Sequence, residues 1–417
     1  MSTKRSPIGR CAIAAVMSLC ISTTGCTNLP GPPPPPDSSP SLSTPAPAPT
    51  PVPSQSTTPS ESPAQSPTAS TEAVPKSWPE VVTQVQSGVG QFSVTTCENS
   101  FTGTGFLVGP DLVVTAAHMV RDASAISISF GRTSVNATTL GVNELADLAL
   151  VRTETPVQGH QFQFRTTAPP IGTDVAALGF PLGRPFTLTR GTVSALNAEQ
   201  KIGNRILSNL IQTDAAINHG NSGGPLITQD GEVSGVVVTI EFDQDVRAEG
   251  IAYAVTAPRA AAAVQEWEAR SVPVRLKECG NAPAPGSGFF PLTVLASHDQ
   301  ARNIGQSLLL HGQGINQGAY PAAFKQFTPE LQASFGDSVA WSAELGSSYW
   351  RKAEIVDVTG SGDTLSADVN LQTSQDAAHG RNGQTCSSWK IRYAMHWNGS
   401  AWLIAGTSLP FGEPTAC

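Results

Sequence analysis

The chain has 417 residues, a formal net charge of −8 and only 13% charged residues, and it is rich in glycine and proline, with 38 and 34 residues. Its length leaves room for two domains and a tail. Because the charge balance is acidic and no basic patch is evident, nucleic acid is not expected as a partner.

The first 25 residues have the pattern of an export signal. An apolar run over 11–21 is preceded by three basic residues, Lys4, Arg5 and Arg10. This run is too short to cross a bilayer, for which about 20 apolar residues are needed. A basic start followed by a short apolar run is typical of a signal peptide. We therefore predict a signal peptide over 1–25 and an exported protein.

The segment Ser22-Thr23-Thr24-Gly25-Cys26 resembles a bacterial lipobox, in which the cysteine is lipidated and becomes the new N-terminus. Thr23 stands where such boxes usually carry an aliphatic residue, so ordinary signal-peptidase cleavage is the alternative. The resemblance implies a lipoprotein anchored to a membrane through Cys26, at the bacterial cell surface or in the envelope. The alternative implies a secreted protein.

Residues 26–76 are mostly Pro, Ser, Thr and Ala, with five consecutive prolines at 32–36. A segment with almost no bulky apolar side chains cannot bury a core, so we expect an extended tether. A proline-rich ligand for an aromatic groove is the alternative. In an exported protein, a spacer that holds a domain away from a membrane is the simpler interpretation.

Residues 77–279 carry the signals of a mainly β domain. Val81, Val82 and Val85 recur at helical spacing, and short apolar segments separated by turn residues follow. The predicted strands form two groups, 91–96, 105–108, 112–115, 126–130 and 148–152, then 175–179, 191–196, 206–213, 225–227, 233–240 and 251–255. Two groups of about six short strands predict two six-stranded antiparallel barrels. The alanine-rich stretch 257–269 predicts a closing helix.

The stretch 212–226, QTDAAINHGNSGGPL, contains a candidate nucleophile. Gly220, Gly223 and Gly224 surround Ser222 and allow the backbone to turn tightly. Such a turn can direct the amides of Gly220 and Ser222 toward one point, where an acyl-transfer oxyanion would form. A serine hydroxyl needs a base to take its proton, so this interpretation requires a histidine elsewhere. The alternative is a glycine-rich hairpin with an incidental serine.

The candidate base is His118, which follows the run LVVTAA over 112–117. His160 lies in a mostly polar run and is expected to be a solvated loop residue, and His219 is too close to the glycine turn to fold back onto it. A base of this kind needs a carboxylate that orients its imidazole. Asp147 precedes an apolar segment, where an unpaired acid is costly to bury, so it is the candidate orienting residue.

These segments resemble those of the chymotrypsin-fold (trypsin-like) serine endopeptidases, most closely the bacterial HtrA-type branch. The matching pieces, in the order that the family uses, are GTGFLVGPDLVVTAAH, DLALV, GFPLG, RGTVSAL, QTDAAINHGNSGGPL and GIAYAV. They span residues 103–255. The resemblance implies Ser222 as nucleophile, His118 as general base and then acid, and Asp147 as its orienting partner.

The resemblance also implies an oxyanion hole formed by the amides of Gly220 and Ser222, with Asn221 between them. In this fold the residues just before the nucleophile line the specificity pocket, and here they include Ala216 and Ile217. Neither residue can pair with an arginine or lysine side chain. We therefore expect a preference for small or medium apolar side chains before the scissile bond.

Residues 280–288 have the composition of a linker, and the PDZ module of the HtrA-type pattern is not evident after the protease region. The segment 289–417 is predicted to be helical over 298–327, with a glycine-rich interruption near Gly312 and Gly314. A short helix is predicted over 341–349, and strands over 350–358, 364–373, 387–397 and 401–408. This order predicts a smaller α+β domain with a curved antiparallel sheet, and it resembles the nuclear transport factor two-like fold.

Four cysteines lie downstream of the N-terminal segment, Cys97, Cys279, Cys386 and Cys417. An even number in an exported chain favours two disulfides, for which three connectivities exist. Pairing Cys97 with Cys279 and Cys386 with Cys417 keeps each bridge within one domain, and free buried thiols are the alternative. No Cys-x-x-Cys or Cys/His pattern typical of a metal site occurs, and no cofactor is predicted.

Two functions follow from these observations. The first is an exported, surface-tethered serine endopeptidase that acts on protein or peptide substrates. The second is an inactive protease scaffold that serves as a binding lipoprotein through its C-terminal domain. The intact set of candidate catalytic residues favours the first.

Overall fold

The computed structural model describes residues 76–202, 205–243, 246–270 and 272–417. The predicted signal peptide, the predicted lipidation site at Cys26 and the predicted tether up to residue 75 lie outside the described residues. Within these ranges no helix is long and apolar enough to cross a membrane.

A short amphipathic helix, α1 (Trp78–Val85), precedes the first barrel. The Ser77 backbone N–H donates a 2.8 Å hydrogen bond to the Glu80 carboxylate, which caps the first turn. Trp78, Val81 and Val85 are buried. The apolar side of α1 therefore packs on the barrel core, as its spacing in the sequence predicts.

Six antiparallel strands close the first barrel. They are β1 (Val89–Thr95), β2 (Ser100–Leu107), β3 (Leu112–Thr115), β4 (Ala125–Phe130), β5 (Thr133–Asn143) and β6 (Leu148–Thr153). The pairing order is β1-β2-β3-β6-β5-β4, and β4 pairs back to β1. The sequence predicts every strand except β5, TSVNATTLGVN, whose many threonines leave only a weak apolar alternation.

The second barrel repeats the same order with six further strands. They are β7 (Asp174–Gly179), β8 (Thr187–Ile202), β9 (Arg205–Thr213), β10 (Pro225–Thr228), β11 (Val233–Asp243) and β12 (Val246–Thr256). The barrel closes in the order β10-β11-β12-β9-β8-β7. The predicted two-barrel architecture is therefore confirmed.

A closing helix, α2 (Ala257–Ala269), follows the second barrel at the predicted residues. It buries Val264 and packs Trp267 against Gly141 of β5, where a side chain would overlap the indole ring. The helix thus returns from the second barrel to the wall of the first.

The C-terminal region combines four helices with a mainly antiparallel sheet. In chain order the elements are β13 (Leu292–Val294), α3 (Ala301–Asn316), α4 (Tyr320–Phe324), α5 (Pro329–Phe335), α6 (Ser338–Leu345), β14 (Tyr349–Ser361), β15 (Thr364–Ser374), β16 (Cys386–Trp397), β17 (Trp402–Ser408) and β18 (Thr415–Ala416). The sheet runs β17-β16-β15-β14-β13, and β13 also pairs with β5 of the first barrel at Thr293 and Thr133. The predicted α+β architecture is confirmed; the resemblance to the nuclear transport factor two-like fold stays a prediction.

The predicted glycine-rich interruption of the C-terminal helices is wrong. Helix α3 runs without a break through Gly312 and Gly314. A Cβ atom at Gly312 would lie 2.6 Å from both Phe290 and Trp350, so the glycine allows these rings to approach the helix. Packing thus outweighs the cost of about 1 kcal/mol that glycine carries within a helix.

Among the described residues the structure has two disulfides, Cys97–Cys279 and Cys386–Cys417. This is the connectivity that keeps each bridge within one predicted domain. The first bridge joins residues 182 positions apart and ties the chain after α2 to the loop between β1 and β2.

Candidate active site

The register of β3 and β6 brings His118 and Asp147 together. Thr115 pairs with Ala149, so the residues that follow β3 lie beside those that precede β6. His118 occupies a short 3₁₀ turn directly after β3. Asp147 adopts a left-handed backbone conformation with φ of 53°, which Asp tolerates better than most residues.

Both oxygen atoms of the Asp147 carboxylate contact His118. Oδ1 accepts a 2.9 Å hydrogen bond from the His118 backbone N–H, and Oδ2 lies 2.7 Å from the imidazole Nδ1. Because a carboxylate only accepts, this contact puts the imidazole proton on Nδ1 and leaves the Nε2 lone pair available. The Asp147 side chain is 4% exposed and that of His118 is 34% exposed. The carboxylate is therefore buried, whereas the imidazole ring is partly exposed to solvent.

The turn that carries Ser222 follows β9 and leads into β10. Gly220 and Gly223 have φ values of 97° and 82°, which glycine adopts without strain. A Cβ atom at Gly223 would overlap the Thr115 hydroxyl and the Thr104 carbonyl. The absence of a side chain at Gly223 thus allows the turn to approach the end of β3, three residues before His118.

Thr104 of β2 holds this turn through two hydrogen bonds and the loop after β7 through a third. Its backbone N–H donates to the Ser222 carbonyl at 2.9 Å, and its hydroxyl donates to the Gly220 carbonyl at 2.6 Å. The same hydroxyl accepts from the Phe180 backbone N–H at 3.2 Å. Thr104 is fully buried. It therefore joins the first barrel, the Ser222 turn and the loop after β7.

The loop 180–186 supports the other side of the turn. The Leu182 N–H donates a 2.7 Å hydrogen bond to the His219 carbonyl. A Cβ atom at Gly220 would overlap the Phe180 carbonyl, so the two backbones are in close contact. His219 itself is exposed.

The three residues predicted for the oxyanion hole differ in their backbone amides. The Asn221 N–H donates to the Asn218 carbonyl at 3.0 Å and closes the turn. In the part of the chain that the structure describes, the amides of Gly220 and Ser222 donate to no other group. The two amides predicted to form the oxyanion hole, those of Gly220 and Ser222, are thus unengaged.

Ser222 and His118 are both half-buried at this end of the first barrel. Among the described residues, no hydrogen bond joins the Ser222 hydroxyl to the His118 ring. Such bonds in the absence of substrate are often long and shorten only in the substrate complex. The structure therefore pairs His118 with Asp147 and brings the Ser222 turn to the same strand ends through Thr104 and Thr115.

The two predicted pocket residues lie in different environments. Ala216 is exposed. Ile217 is 2% exposed and packs in an apolar cluster of the second barrel with Val175 and Ile211. Ala216 is thus the one of the two that a substrate side chain can contact directly in this conformation.

Sequence reasoning missed Thr104, although the motif GTGF that contains it is present, because its contacts involve residues far away in the chain.

His160 differs from the solvated loop residue that the sequence predicts. It is half-buried with its ring 4.8 Å from that of Phe162, and burial lowers its pKa.

Comparisons with known proteins show what this chain is similar to. Residues 103–236 match the family model of the trypsin-like peptidase domain. The serine protease Do-like HtrA of Bacillus subtilis is 28% identical over 298 residues, covering 64% of this chain and 62% of that protein. A probable periplasmic serine endoprotease DegP-like of Chlamydia pneumoniae is 37% identical over 140 residues, covering 33% of this chain and 28% of that protein. The chain thus spans less than two thirds of each relative.

Among solved structures, the active form of the Rv3671c protease from M. tuberculosis matches with 24% identity and a TM-score of 0.44, covering 48% of this chain and 89% of that chain. The family match includes His118, Asp147 and Ser222 within its bounds. Residues 103–236 are a trypsin-like peptidase domain, homologous to the HtrA-type serine proteases.

Proposed function

We propose that the protein is an exported serine endopeptidase that hydrolyses peptide bonds through an acyl-enzyme on Ser222. The observation that carries the proposal is the His118–Asp147 pair, which leaves Nε2 free to accept a proton beside a turn with two unengaged amides. A base, its orienting acid and oxyanion donors around one hydroxyl are the parts that acyl transfer requires.

In the first half of the reaction, Ser222 Oγ attacks the scissile carbonyl carbon and His118 Nε2 takes the hydroxyl proton. The amides of Gly220 and Ser222 stabilise the oxygen of the tetrahedral intermediate. The C–N bond then breaks, His118 returns the proton to the leaving amine, and the acyl group stays on Ser222 as an ester.

In the second half, a water molecule attacks the ester while His118 takes one of its protons. Collapse of the second intermediate releases the carboxylic acid, and the proton returns to Ser222 Oγ. Throughout both halves Asp147 keeps its charge, holds the imidazole orientation and stabilises the imidazolium.

Hydrolysis of an unfolded protein such as β-casein tests the activity. The wild-type chain is expected to degrade it, and Ser222→Ala is expected to remove the activity while the circular dichroism spectrum stays unchanged. Degradation by Ser222→Ala at the wild-type rate would mean that another group or a contaminant performs the reaction.

For the substrate, we propose a preference for small or medium apolar side chains before the scissile bond. Support comes from the absence of charge at Ala216 and Ile217 and from the exposure of Ala216. A cleavage profile measured on a peptide library tests this directly. Dominant cleavage after Arg or Lys would contradict it.

For the location, we propose export and attachment to a membrane through a lipid on Cys26. Support comes from the signal pattern over 1–25, the lipobox-like segment before Cys26 and the proline-rich segment that follows. One relative is named a probable periplasmic protease. Cys26→Ser is expected to move the protein from the detergent phase to the aqueous phase in a partition assay. An unchanged distribution would favour ordinary cleavage.

A further inference from the structure

A cavity of about 350 Å³ lies where the first barrel, the loop 180–186 and the C-terminal region meet. This volume falls within the range of about 300–1,000 Å³ that is typical of small-molecule sites. Phe180 and Phe186 form part of its wall, and Leu292 and Val294 of β13 form another part. The cavity is separate from the predicted specificity pocket and offers apolar surface from two regions of the chain.

A buried hydrogen-bond donor also lines this cavity. Gln91 of β1 is 5% exposed, and its side-chain Nε2 has no hydrogen-bond partner among the described residues. Gln306, which also lines the cavity, differs because its Nε2 donates to the Phe92 carbonyl and the Ser93 hydroxyl. A buried N–H group without an acceptor destabilises the protein. Gln91 therefore favours a ligand that brings an acceptor atom.

Two arginines line the same cavity. Arg302 is the single residue of α3 that is not buried, and its guanidinium group forms no ion pair or hydrogen bond with any residue that the structure describes. Arg132 uses one N–H on the Ala296 carbonyl at 3.1 Å, which leaves other guanidinium donors available. None of the described lining residues is acidic. In a chain with a net charge of −8, this is a local concentration of unneutralised positive charge.

We propose that this cavity binds a small organic carboxylate with an apolar body. The carboxylate pairs with Arg132 and Arg302, since charge-assisted hydrogen bonds from guanidinium groups match carboxylate oxygens. Gln91 supplies a further donor, and the apolar body lies against Phe180 and Phe186. The ligand class covers free aliphatic acids and acylated amino acids, which share this chemistry.

The cavity adjoins the candidate active site through two contacts. Gln91 lies directly opposite Thr104 in the register of β1 and β2, and opposite residues carry their side chains on the same face. The backbone of Phe180 donates to the Thr104 hydroxyl and abuts Gly220. A ligand seated on Phe180 therefore stabilises the loop that supports the oxyanion turn. This coupling rests on the proposed function of Ser222, whereas binding does not.

Binding is tested with the full-length Ser222→Ala chain by isothermal titration calorimetry, which needs no catalysis. The probes are octanoate and N-acetylphenylalanine, and their neutral controls are 1-octanol and N-acetylphenylalanine amide. At least one carboxylate is expected to bind saturably with one-to-one stoichiometry, and its neutral control at least tenfold more weakly. Whichever of the two probes binds shows whether the site takes a free aliphatic acid or an acylated amino acid. Absence of binding, or equal binding of the neutral control, would overturn the proposal.

Three variants locate the site. Arg302→Gln is expected to weaken binding by about tenfold or more, as loss of a charge-assisted hydrogen bond does. Gln91→Leu removes the donor while keeping the side-chain volume similar, and it is expected to weaken binding several-fold. Arg270→Gln, at an exposed position that does not line the cavity, serves as the matched control. Equal affinities in Arg302→Gln and Arg270→Gln would place the ligand elsewhere.

Coupling is tested with the catalytically intact chain and a peptide substrate. Addition of the carboxylate that binds is expected to raise kcat in the wild-type chain and in the Arg270→Gln control, and the increase is expected to disappear in Arg302→Gln. A bound ligand that leaves kcat unchanged would overturn the coupling. An enzyme with no basal turnover would contradict the proposed function, but the calorimetric result would still decide the binding site.

Discussion

The Thr104 hydroxyl donates a 2.6 Å hydrogen bond to the Gly220 carbonyl, which joins the first barrel to the turn that carries Ser222. The preceding carbonyl, that of His219, accepts from Leu182. Both peptide groups around Gly220 are thus held. In a trans peptide the N–H points opposite to the C=O, so the Leu182 contact sets the direction of the Gly220 amide, and the Thr104 contact holds the next peptide group, which carries the Asn221 amide.

We expect Thr104→Val to lower kcat by about tenfold with little change in KM, because the Gly220 carbonyl and the Phe180 amide lose their partner. Thr104→Ser keeps the hydroxyl and is expected to retain most of the activity. Steady-state kinetics on a peptide substrate measure both variants. Equal losses in the two would contradict a specific role of the hydroxyl.

Asp147→Asn is expected to lower kcat by about 10⁴-fold, because an amide can donate to the ring and favour the wrong imidazole tautomer. The His118–Asp147 distance of 2.7 Å makes the ring orientation depend directly on this side chain. Single-turnover kinetics, which separate chemistry from product release, provide the measurement. Near-normal turnover would mean that another carboxylate orients His118.

Ala216→Asp places a carboxylate at the exposed residue of the predicted pocket. If Ala216 faces the substrate side chain, cleavage after Arg or Lys is expected to appear and cleavage after apolar residues to decline, because the new charge pairs with a basic side chain. A peptide-library profile measures the change. An active variant with an unaltered profile would remove Ala216 from the pocket.

His311 of α3 makes the C-terminal region sensitive to acid. Burial lowers its pKa to about 4, although its Nδ1 contact with the Ala323 carbonyl at 3.0 Å acts in the opposite direction. The unfolded chain takes up this proton near pH 6.5 and the folded chain only near pH 4, so the stabilisation present at neutral pH is lost as pH falls between these values. Because of this group, we expect the free energy of unfolding to fall by about 2 kcal/mol between pH 7 and pH 5.

Urea unfolding monitored by tryptophan fluorescence tests this expectation, since the Trp341 and Trp350 rings lie within 5.7 Å of the His311 ring. His311→Leu is expected to reduce the change in the free energy of unfolding between pH 7 and pH 5 by about 2 kcal/mol. His396→Gln, at an exposed histidine, is the control and is expected to leave it unchanged. Identical pH dependence in wild type and His311→Leu would assign the acid sensitivity to other groups.

The sequence predicts the barrels well because their strands alternate and are bounded by turn residues, and it identifies His118, Asp147 and Ser222 as candidates because their motifs are local. It does not predict β5, whose threonine-rich pattern resembles a loop. It also predicts an interruption near Gly312 and Gly314 that α3 does not have, since the cost of Gly312 is offset by rings that are distant in sequence.

The sequence alone could not identify Thr104 as a residue that supports the site. Its hydrogen bond to Gly220 spans 116 residues, and a threonine within a strand carries no local signal of such a contact. The cavity lined by Gln91 and Arg302 depends in the same way on packing between distant segments.

The proposal that Ser222 is a nucleophile activated by His118 is tested most directly by a fluorophosphonate probe combined with mass spectrometric mapping of the adduct. We predict that the wild-type chain carries one adduct on Ser222, that Ser222→Ala carries none, and that His118→Ala reacts at a rate reduced by several orders of magnitude. An unlabelled wild-type chain that is correctly folded, or an adduct on another residue, would contradict the account.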